Sequence, residues 1–318
     1  MPPRILILIP VYNDWEALRM LVARLDAQLA AQQRRASLLL VDDGSPEVPE
    51  EVVTTALESI DEVRLLTLRR NVGHQRAIAV GLAYVHDNIE CDEIVVMDAD
   101  GEDDPADVLR LVAKCEQEQL RRIVFARRAR RSEGIRFSAF YVLFKALYRL
   151  MTGTDMRVGN FSVIPFALLR RLVAVSEIWN HYVSGIMKAR LPFTTIETSR
   201  ARRLAGQSRM NFVALITHGL SAIAVNGDVF GVRMLIAVSV LVVCAVITMI
   251  VAIAIRLGTN LAIPGWATYV VAFSVLAIMQ AIGLSLFFIF IILGGRSQLD
   301  MIPQRDYVYF VLSSTVLR

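Results

Sequence analysis

The chain has 318 residues, is 55% hydrophobic, has a mean hydropathy of +0.50 and carries a formal charge of +4. It is too apolar for an ordinary water-soluble protein, and no nucleic-acid partner is expected. Cys91, Cys115 and Cys244 show neither CxxC pairing nor zinc spacing, which excludes a disulfide framework and a structural zinc site.

Short apolar runs alternate with helical patterns over the first two thirds of the chain. Strands are expected at residues 4–11, 37–42, 63–68, 93–98 and 122–126, and helices at 14–31, 49–59, 74–86 and 105–119. This rhythm predicts an α/β fold, a mostly parallel sheet with helices on both faces. In such sheets ligands bind beyond the carboxyl ends of the strands. Three of those ends carry polar or acidic loops: Pro10-Val11-Tyr12-Asn13-Asp14, Asp42-Asp43-Gly44-Ser45 and Asp98-Ala99-Asp100. P-loop and GxGxxG signatures are absent from the sequence. The first apolar run, ILILIP, is too short for a signal peptide and has no cleavage site after it, which places the α/β part in the cytoplasm.

The fourth strand runs into VVMDADGEDDP, with Asp98, Asp100, Glu102, Asp103 and Asp104 in quick succession. Like charges this close repel, so the loop is either solvated or meant for a cation. A turn at Ala99-Asp100-Gly101 lets Asp100 and Glu102 converge. Asp103 and Asp104 are expected to be solvated at the start of the next helix, with Asp104 as N-cap and Pro105 at the first helical position. An arginine-rich stretch follows between residues 121 and 136.

Residues 136–151 and 210–230 have apolar helical patterns suited to the membrane interface. Residues 234–255 and 257–295 are uncharged, and a helix of the first length spans about 33 Å, enough for a bilayer core. The second helix is expected to begin near Trp266, after Pro264-Gly265. Arginines at 200, 202, 203, 209 and 233 precede the spans and Arg296 and Arg305 follow them, with only Arg256 between. The positive-inside rule then makes a hairpin with both termini cytoplasmic, at the inner membrane. The expected domains are a catalytic unit at 1–209, an interfacial region at 210–231, a transmembrane hairpin at 232–295 and a cytoplasmic tail at 296–318. The tail has alternating apolar residues and suits a strand, either between subunits or buried within one.

The ordered set IPVYND (9–14), VDDGS (41–45), RNVGHQRA (70–77), DADGEDDP (98–105) and RRLAGQSRMN (202–211), followed by two spans, resembles family 2 glycosyltransferases. Within them it is similar to the polyisoprenyl-phosphate glycosyltransferases, the group that includes dolichol-phosphate mannose synthases. The resemblance implies a GT-A fold and inverting transfer from a UDP- or GDP-linked sugar to a polyprenyl phosphate, with Mg2+ or Mn2+. It makes Asp98, Asp100 and Glu102 metal ligands or near-metal groups. Pro10, Tyr12, Asp14, Asp42 and Asp43 then line the nucleotide pocket. Arg128, Arg131, Arg203 and Arg209 lie near phosphate. The resemblance also implies membrane lipids as partners and a homo-oligomer, such as a tetramer.

Three positions and one stretch depart from the usual pattern: Asp14 for Glu, Glu102 for Gln, Arg209 for Lys, and Gly159-Asn160-Phe161-Ser162-Val163 for a Gly-Asp-Phe-Arg-Leu-like stretch. The usual acidic base is therefore missing, and Asp155 is the nearest candidate. A phosphate monoester, with a second pKa near ~6, is already largely ionised and needs alignment more than a base. His74 is expected at an ordinary polar helix start. The alternatives are a hydroxyl acceptor on a lipid or glycan, for which Glu177 or His181 would matter, and a non-catalytic scaffold that binds nucleotide sugar.

Overall fold

The computed structural model describes residues 3–49, 51–52, 56–128, 149, 158–199, 201–206, 212–259, 265–297 and 301–318. These divide into two compact units. The first comprises residues 1–145, 155–225 and 300–318; the second comprises 146–154 and 226–299.

The first unit is built on one eight-stranded sheet. Its strands are β1 (Ile5–Val11), β2 (Ala36–Asp42), β3 (Ile60–Leu68), β4 (Glu93–Val96), β5 (Ile123–Arg128), β6 (Ser162–Pro165), β7 (Phe193–Thr198) and β8 (Val311–Val316). Their order is β7-β5-β6-β4-β1-β2-β3-β8. β1 pairs in parallel with β2 and β4, β2 with β3, and β5 with β7; only β6 and β8 run antiparallel to their neighbours. Every residue of β1 is buried, as expected of a central strand covered on both faces. Its side chains alternate between two cores. Leu6 and Leu8 face the side of helix α2 (His74–Asn88). Ile5, Ile7 and Ile9 face the side of helices α1 (Trp15–Ala31) and α3 (Pro105–Gln117).

Helix α1 buries Trp15, Leu18, Leu21, Val22, Leu25 and Leu29, a stripe at helical spacing, and each such side chain contributes about 1.5–3 kcal/mol on full burial. Helix α3 starts as the sequence predicts: the Asp104 side chain accepts from the Ala106 amide at 2.9 Å, and Pro105 stands at the first helical position. Asp103, expected in solvent, is instead 4% exposed, and its carboxylate accepts from the Asp98 amide at 3.4 Å. The sequence pattern saw a helix start; the tertiary fold folds the acidic loop back under itself.

The helix expected at 49–59 does not form among the described residues of that stretch. The side chains of α1 take its backbone groups. Trp15 Nε1 donates to the Glu47 carbonyl (3.0 Å), and Arg19 donates to the Glu51 carbonyl (2.6 Å). Asp26 accepts from the amides of Glu58, Ser59 and Ile60 at 2.8–3.1 Å. With Val52 and Leu57 in the core, the segment wraps over α1. The interfacial helix expected at 136–151 lies outside the described residues apart from Arg149.

Between β6 and β7 lie helix α4 (Phe166–Leu172), a 3-10 turn at Ser176–Trp179 and helix α5 (Tyr182–Lys188). Helix α6 (Phe212–Ala224) falls in the stretch expected at the interface. The tail places β8 against β3 of its own chain, as an edge strand whose side chains are largely exposed.

The second unit contains helices α7 (Gly227–Gly258) and α8 (Trp266–Ser297). Both are long and apolar enough to cross a bilayer, and they support a multi-pass membrane protein. They pack closely on each other: a Cβ added at Gly231 would come within 2.6 Å of the Ile292 side chain, and Phe230 meets Phe288 edge-on at 6.1 Å. Their remaining apolar side chains, such as Ile236, Val243, Phe273 and Phe290, face outward.

Candidate active site

The strand order β4-β1-β2 sets three loops side by side at one sheet edge. These are Met97–Asp104 after β4, Tyr12–Asp14 after β1 and Asp43–Ser45 after β2. β6 runs antiparallel, with Ser162 opposite Val96, so Asn160 at its entrance joins the same edge. The amino end of α2 completes it.

Asp42 and Asp43 are neighbours with different tasks. Asp43 accepts from the Val72 amide (2.7 Å) and the Gly73 amide (3.0 Å), which ties the β2 loop to the start of α2. Burial pushes its carboxyl up from the usual range, and these two hydrogen bonds pull it back in part. Gly44, at φ +71°, fits here because a Cβ would lie 2.6 Å from the Arg70 and Asn71 backbone. Asp42 is fully buried. One oxygen accepts from the Ser45 amide at 3.0 Å. Its Oδ2 is buried with no hydrogen-bond partner among the described residues. Pro10 is buried in β1 opposite Val41, and Tyr12 is partly exposed just beyond.

Asp98 meets the imidazole of His74, Nε2 to Oδ1 at 3.1 Å. Burial alone would lower the His74 pKa, but Asp98 most of all, with Asp43 and Asp100, raises it. The same ring nitrogen lies 3.0 Å from Asn160 Nδ2. Asn160 Oδ1 accepts from Gln75 Nε2 (3.2 Å), and Gln75 Oε1 accepts from the Tyr182 amide (2.7 Å). The base position is thus a neutral amide held in a chain of amides. Ser162, where the resemblance expects Arg, shares a hydrogen bond with the buried Tyr182 hydroxyl at 2.8 Å.

Asp100 Oδ1 accepts from the Glu102 amide at 3.0 Å, a one-residue turn about Gly101 at φ +77°. Its Oδ2 faces Arg203 Nη1 at 3.2 Å, while Arg203 Nη2 reaches Asp14 at 2.9 Å. Burial raises the Asp100 carboxyl, as do Asp98 and Glu102; the Glu102 amide and Arg203 work against them. Asp14 stands at the N-cap of α1, yet its side chain makes no cap hydrogen bond there and is spent on Arg203.

Oxygen donors in this density suit a hard divalent cation. Asp98 faces the His74 imidazole and Asp100 the Arg203 guanidinium instead, and no three His, Cys, Asp or Glu side chains converge as a ligand set among the described residues. Carboxylate oxygens are the donor type that Mg2+ or Mn2+ takes, and Asp98, Asp100 and Glu102 are the residues that would hold it. Arg128 ends β5, and its side chain lies outside the described residues, as do Arg131, Asp155 and Arg209.

Sequence reading did not join His74 to Asp98, Gln75 to Asn160, or Arg203 to Asp14 and Asp100. These pairs are separated by many residues and share no local pattern. The only signal was polar residues gathered at a helix start and in a late arginine motif.

Comparison with known proteins follows this geometry. Residues 6–174 match the family model for glycosyl transferase family 2. The undecaprenyl-phosphate 4-deoxy-4-formamido-L-arabinose transferase of Photorhabdus laumondii is 28% identical over 218 residues, 67% of this chain and 65% of that protein. An uncharacterized glycosyltransferase of Bacillus subtilis is 28% identical over 209 residues, 64% of this chain and 62% of the other. The matched region is therefore just under two thirds of these relatives' length. Among solved structures, glucosyl-3-phosphoglycerate synthase from Mycobacterium tuberculosis, in complex with Mn2+, UDP-glucose and phosphoglyceric acid, shares the fold. Its TM-score is 0.50 at 15% identity, over 72% of this chain and 80% of that one. The strand-end carboxylates, the mostly parallel sheet and the family match over more than half of its length agree: the chain belongs to glycosyl transferase family 2.

Proposed function

We propose that the protein is a membrane-anchored inverting glycosyltransferase. It takes a sugar from a UDP- or GDP-linked donor and places it on a polyprenyl phosphate at the cytoplasmic face. The carrying observation is one sheet edge that combines an unsatisfied buried acceptor, Asp42 Oδ2, with the Asp98–Asp100 loop and Arg203. Two helices long and apolar enough to span a bilayer support a lipid acceptor. The P. laumondii relative, named for undecaprenyl phosphate, supports the same acceptor class.

In this reading Asp42 Oδ2 accepts an N–H of the base or a hydroxyl of the ribose. Pro10, Tyr12 and Asp14 line the nucleotide pocket, and Asp43 keeps the β2 loop in register with α2. Asp98, Asp100 and Glu102 hold Mg2+ or Mn2+, which when bound neutralises charge on the leaving diphosphate. The acceptor phosphate oxygen attacks the anomeric carbon from the face opposite the nucleotide. The carbon–oxygen bond to the diphosphate breaks, with its electron pair leaving on that oxygen, and the configuration inverts. Arg203, with Arg128, Arg131 and Arg209, meets phosphate charge.

The amide at Asn160 favours an acceptor already ionised, because a dianionic phosphate needs no proton removed. Residues 1–209 form the catalytic unit, 210–231 meet the interface, 232–295 anchor it, and both termini stay in the cytoplasm. We expect a homo-oligomer.

Purified full-length protein in detergent, given Mn2+, undecaprenyl phosphate and a panel of UDP- and GDP-sugars, tests the reading. Nucleoside diphosphate is expected only when lipid phosphate is present. Turnover with no donor in the panel would sink it in favour of a scaffold, and turnover on a hydroxyl lipid alone would sink the acceptor. Asp155→Asn is expected to keep near-normal turnover if the phosphate needs no base; a loss above about a hundredfold would assign Asp155 that role.

A further inference from the structure

Arg203 sits at an unusual junction. Its guanidinium bridges Asp100 (3.2 Å) on the acidic loop and Asp14 (2.9 Å) on the nucleotide-side loop, and its Nε donates to the Ala205 carbonyl at 2.9 Å. The pair is not a surface ion pair: the side chains of Arg203 and Asp100 are only 17% and 19% exposed. The backbone around it is anchored separately. The Leu204 amide donates to the Asp100 carbonyl and the Ala201 amide to the Glu102 carbonyl, each at 3.0 Å. Leu204 packs on the sheet core and covers Gly101, where a Cβ would lie 2.3 Å from its side chain. The strap is thus fixed by its main chain and Leu204, and the guanidinium adds charge balance.

Asp100 has one oxygen committed to the Glu102 amide and the other to Arg203. A divalent cation bound through Asp100 needs a carboxylate lone pair that now faces a positive guanidinium. Two cations on one oxygen repel strongly in a half-buried setting, so they compete.

We propose that Arg203 is the resting counter-ion of the acidic loop. It holds Asp100 and Asp14 together in the absence of donor, gives up Asp100 to the divalent cation, and exchanges onto the donor diphosphate while Leu204 keeps the strap seated. This rests on the proposed metal and donor site, and it adds a competition that the site alone does not require.

The test is Mn2+ binding to the nucleotide-free full-length protein, read as free Mn2+ by electron paramagnetic resonance, with no turnover needed. Arg203→Gln is expected to bind Mn2+ about tenfold more tightly than the parent, the scale of one charge-assisted hydrogen bond removed from competition. Arg202→Gln removes an exposed charge one residue away and is expected to change affinity by less than about twofold. Arg203→Gln matching the parent or matching Arg202→Gln overturns the exchange and leaves the metal site standing. Absence of Mn2+ binding in all three proteins overturns the metal site and the exchange together. If Arg203→Gln does not purify folded, Arg203→Met carries the same test, since it keeps the aliphatic stem and removes the charge. A gain of about tenfold supports the proposal, and no gain overturns it.

Discussion

Strand β4 carries acid at both ends, and the two ends behave differently. At its start, Glu93 is completely buried, and both carboxylate oxygens lack a hydrogen-bond partner among the described residues. The nearby Cys115 thiol donates to the Arg122 carbonyl at 3.8 Å and interacts with the Glu93 carboxyl, each affecting the other's titration. Burial pushes Glu93 up to about 7 and holds the Cys115 thiol well above its usual range. Past its other end, Asp98 and Asp100 are also partly buried, but each meets a nitrogen group, the His74 imidazole or the Arg203 guanidinium. Burial alone makes a carboxyl protonate. Burial raises the Asp100 carboxyl as well, but there the Glu102 amide and the Arg203 guanidinium work against it. A perturbed acid is thus a poor guide to a site unless its surroundings supply positive charge and access.

The sharpest way to break this contrast is Asp100→Asn. It removes the charge at the functional end, and turnover should fall at least about a thousandfold in a protein that still folds. Nucleoside diphosphate release measures it, and an unaffected rate would remove the metal role.

Asp43→Ala probes a carboxylate whose work is structural. Two amides, Val72 and Gly73, lose their acceptor, so stability should drop by about 2–4 kcal/mol in denaturant unfolding. A change below about 0.5 kcal/mol would show that the loop finds another partner.

Glu93→Gln probes the silent end of β4. With its pKa raised to about 7 from 4.5, the folded protein holds more protons than the unfolded chain between those pH values. The stability that protonation allows is complete below pH 4.5 and is lost as pH rises through 7. Glu93→Gln should flatten that decline and gain about 1–3 kcal/mol at pH 8, with turnover unchanged. An equal pH slope in both proteins would remove Glu93 as its cause.

Asp42→Asn is the mildest change. It should weaken nucleoside diphosphate binding about tenfold, roughly 1.4 kcal/mol, by calorimetry. Unaltered affinity would mean that Asp42 Oδ2 does not face the nucleotide.

Much of this was legible because the physics is local. The apolar run of β1, the stripe of α1 and the Asp104-Pro105 helix start each declare themselves within one element. β6 was missed because four residues carry too little pattern, and β7 because its FTTIET run is largely polar and only partly buried. The false helix at 49–59 had a fair local pattern, but α1 captured its amides and carbonyls.

The candidate site divides in the same way. The acidic loop, the Asp42-Asp43 pair and the late arginine motif are visible as strings. Which aspartate is structural, and which has an oxygen to spare, is not visible, because Asp42 and Asp43 are adjacent and chemically identical. Their difference arises from the start of α2, some thirty residues away, whose amides reach only one of them.

The sequence by itself determined the alternation of strands and helices, the two long apolar helices and the acidic residues at the strand ends, since hydrophobic period and turn chemistry act over a few residues. Only the tertiary structure decided that Arg203 bridges Asp14 and Asp100, that His74 faces Asp98, and that Asn160 is held as an amide between His74 and Gln75. Those partners are brought together by strand order and by the antiparallel entry of β6, and a long-range ion pair leaves no periodic trace in the chain.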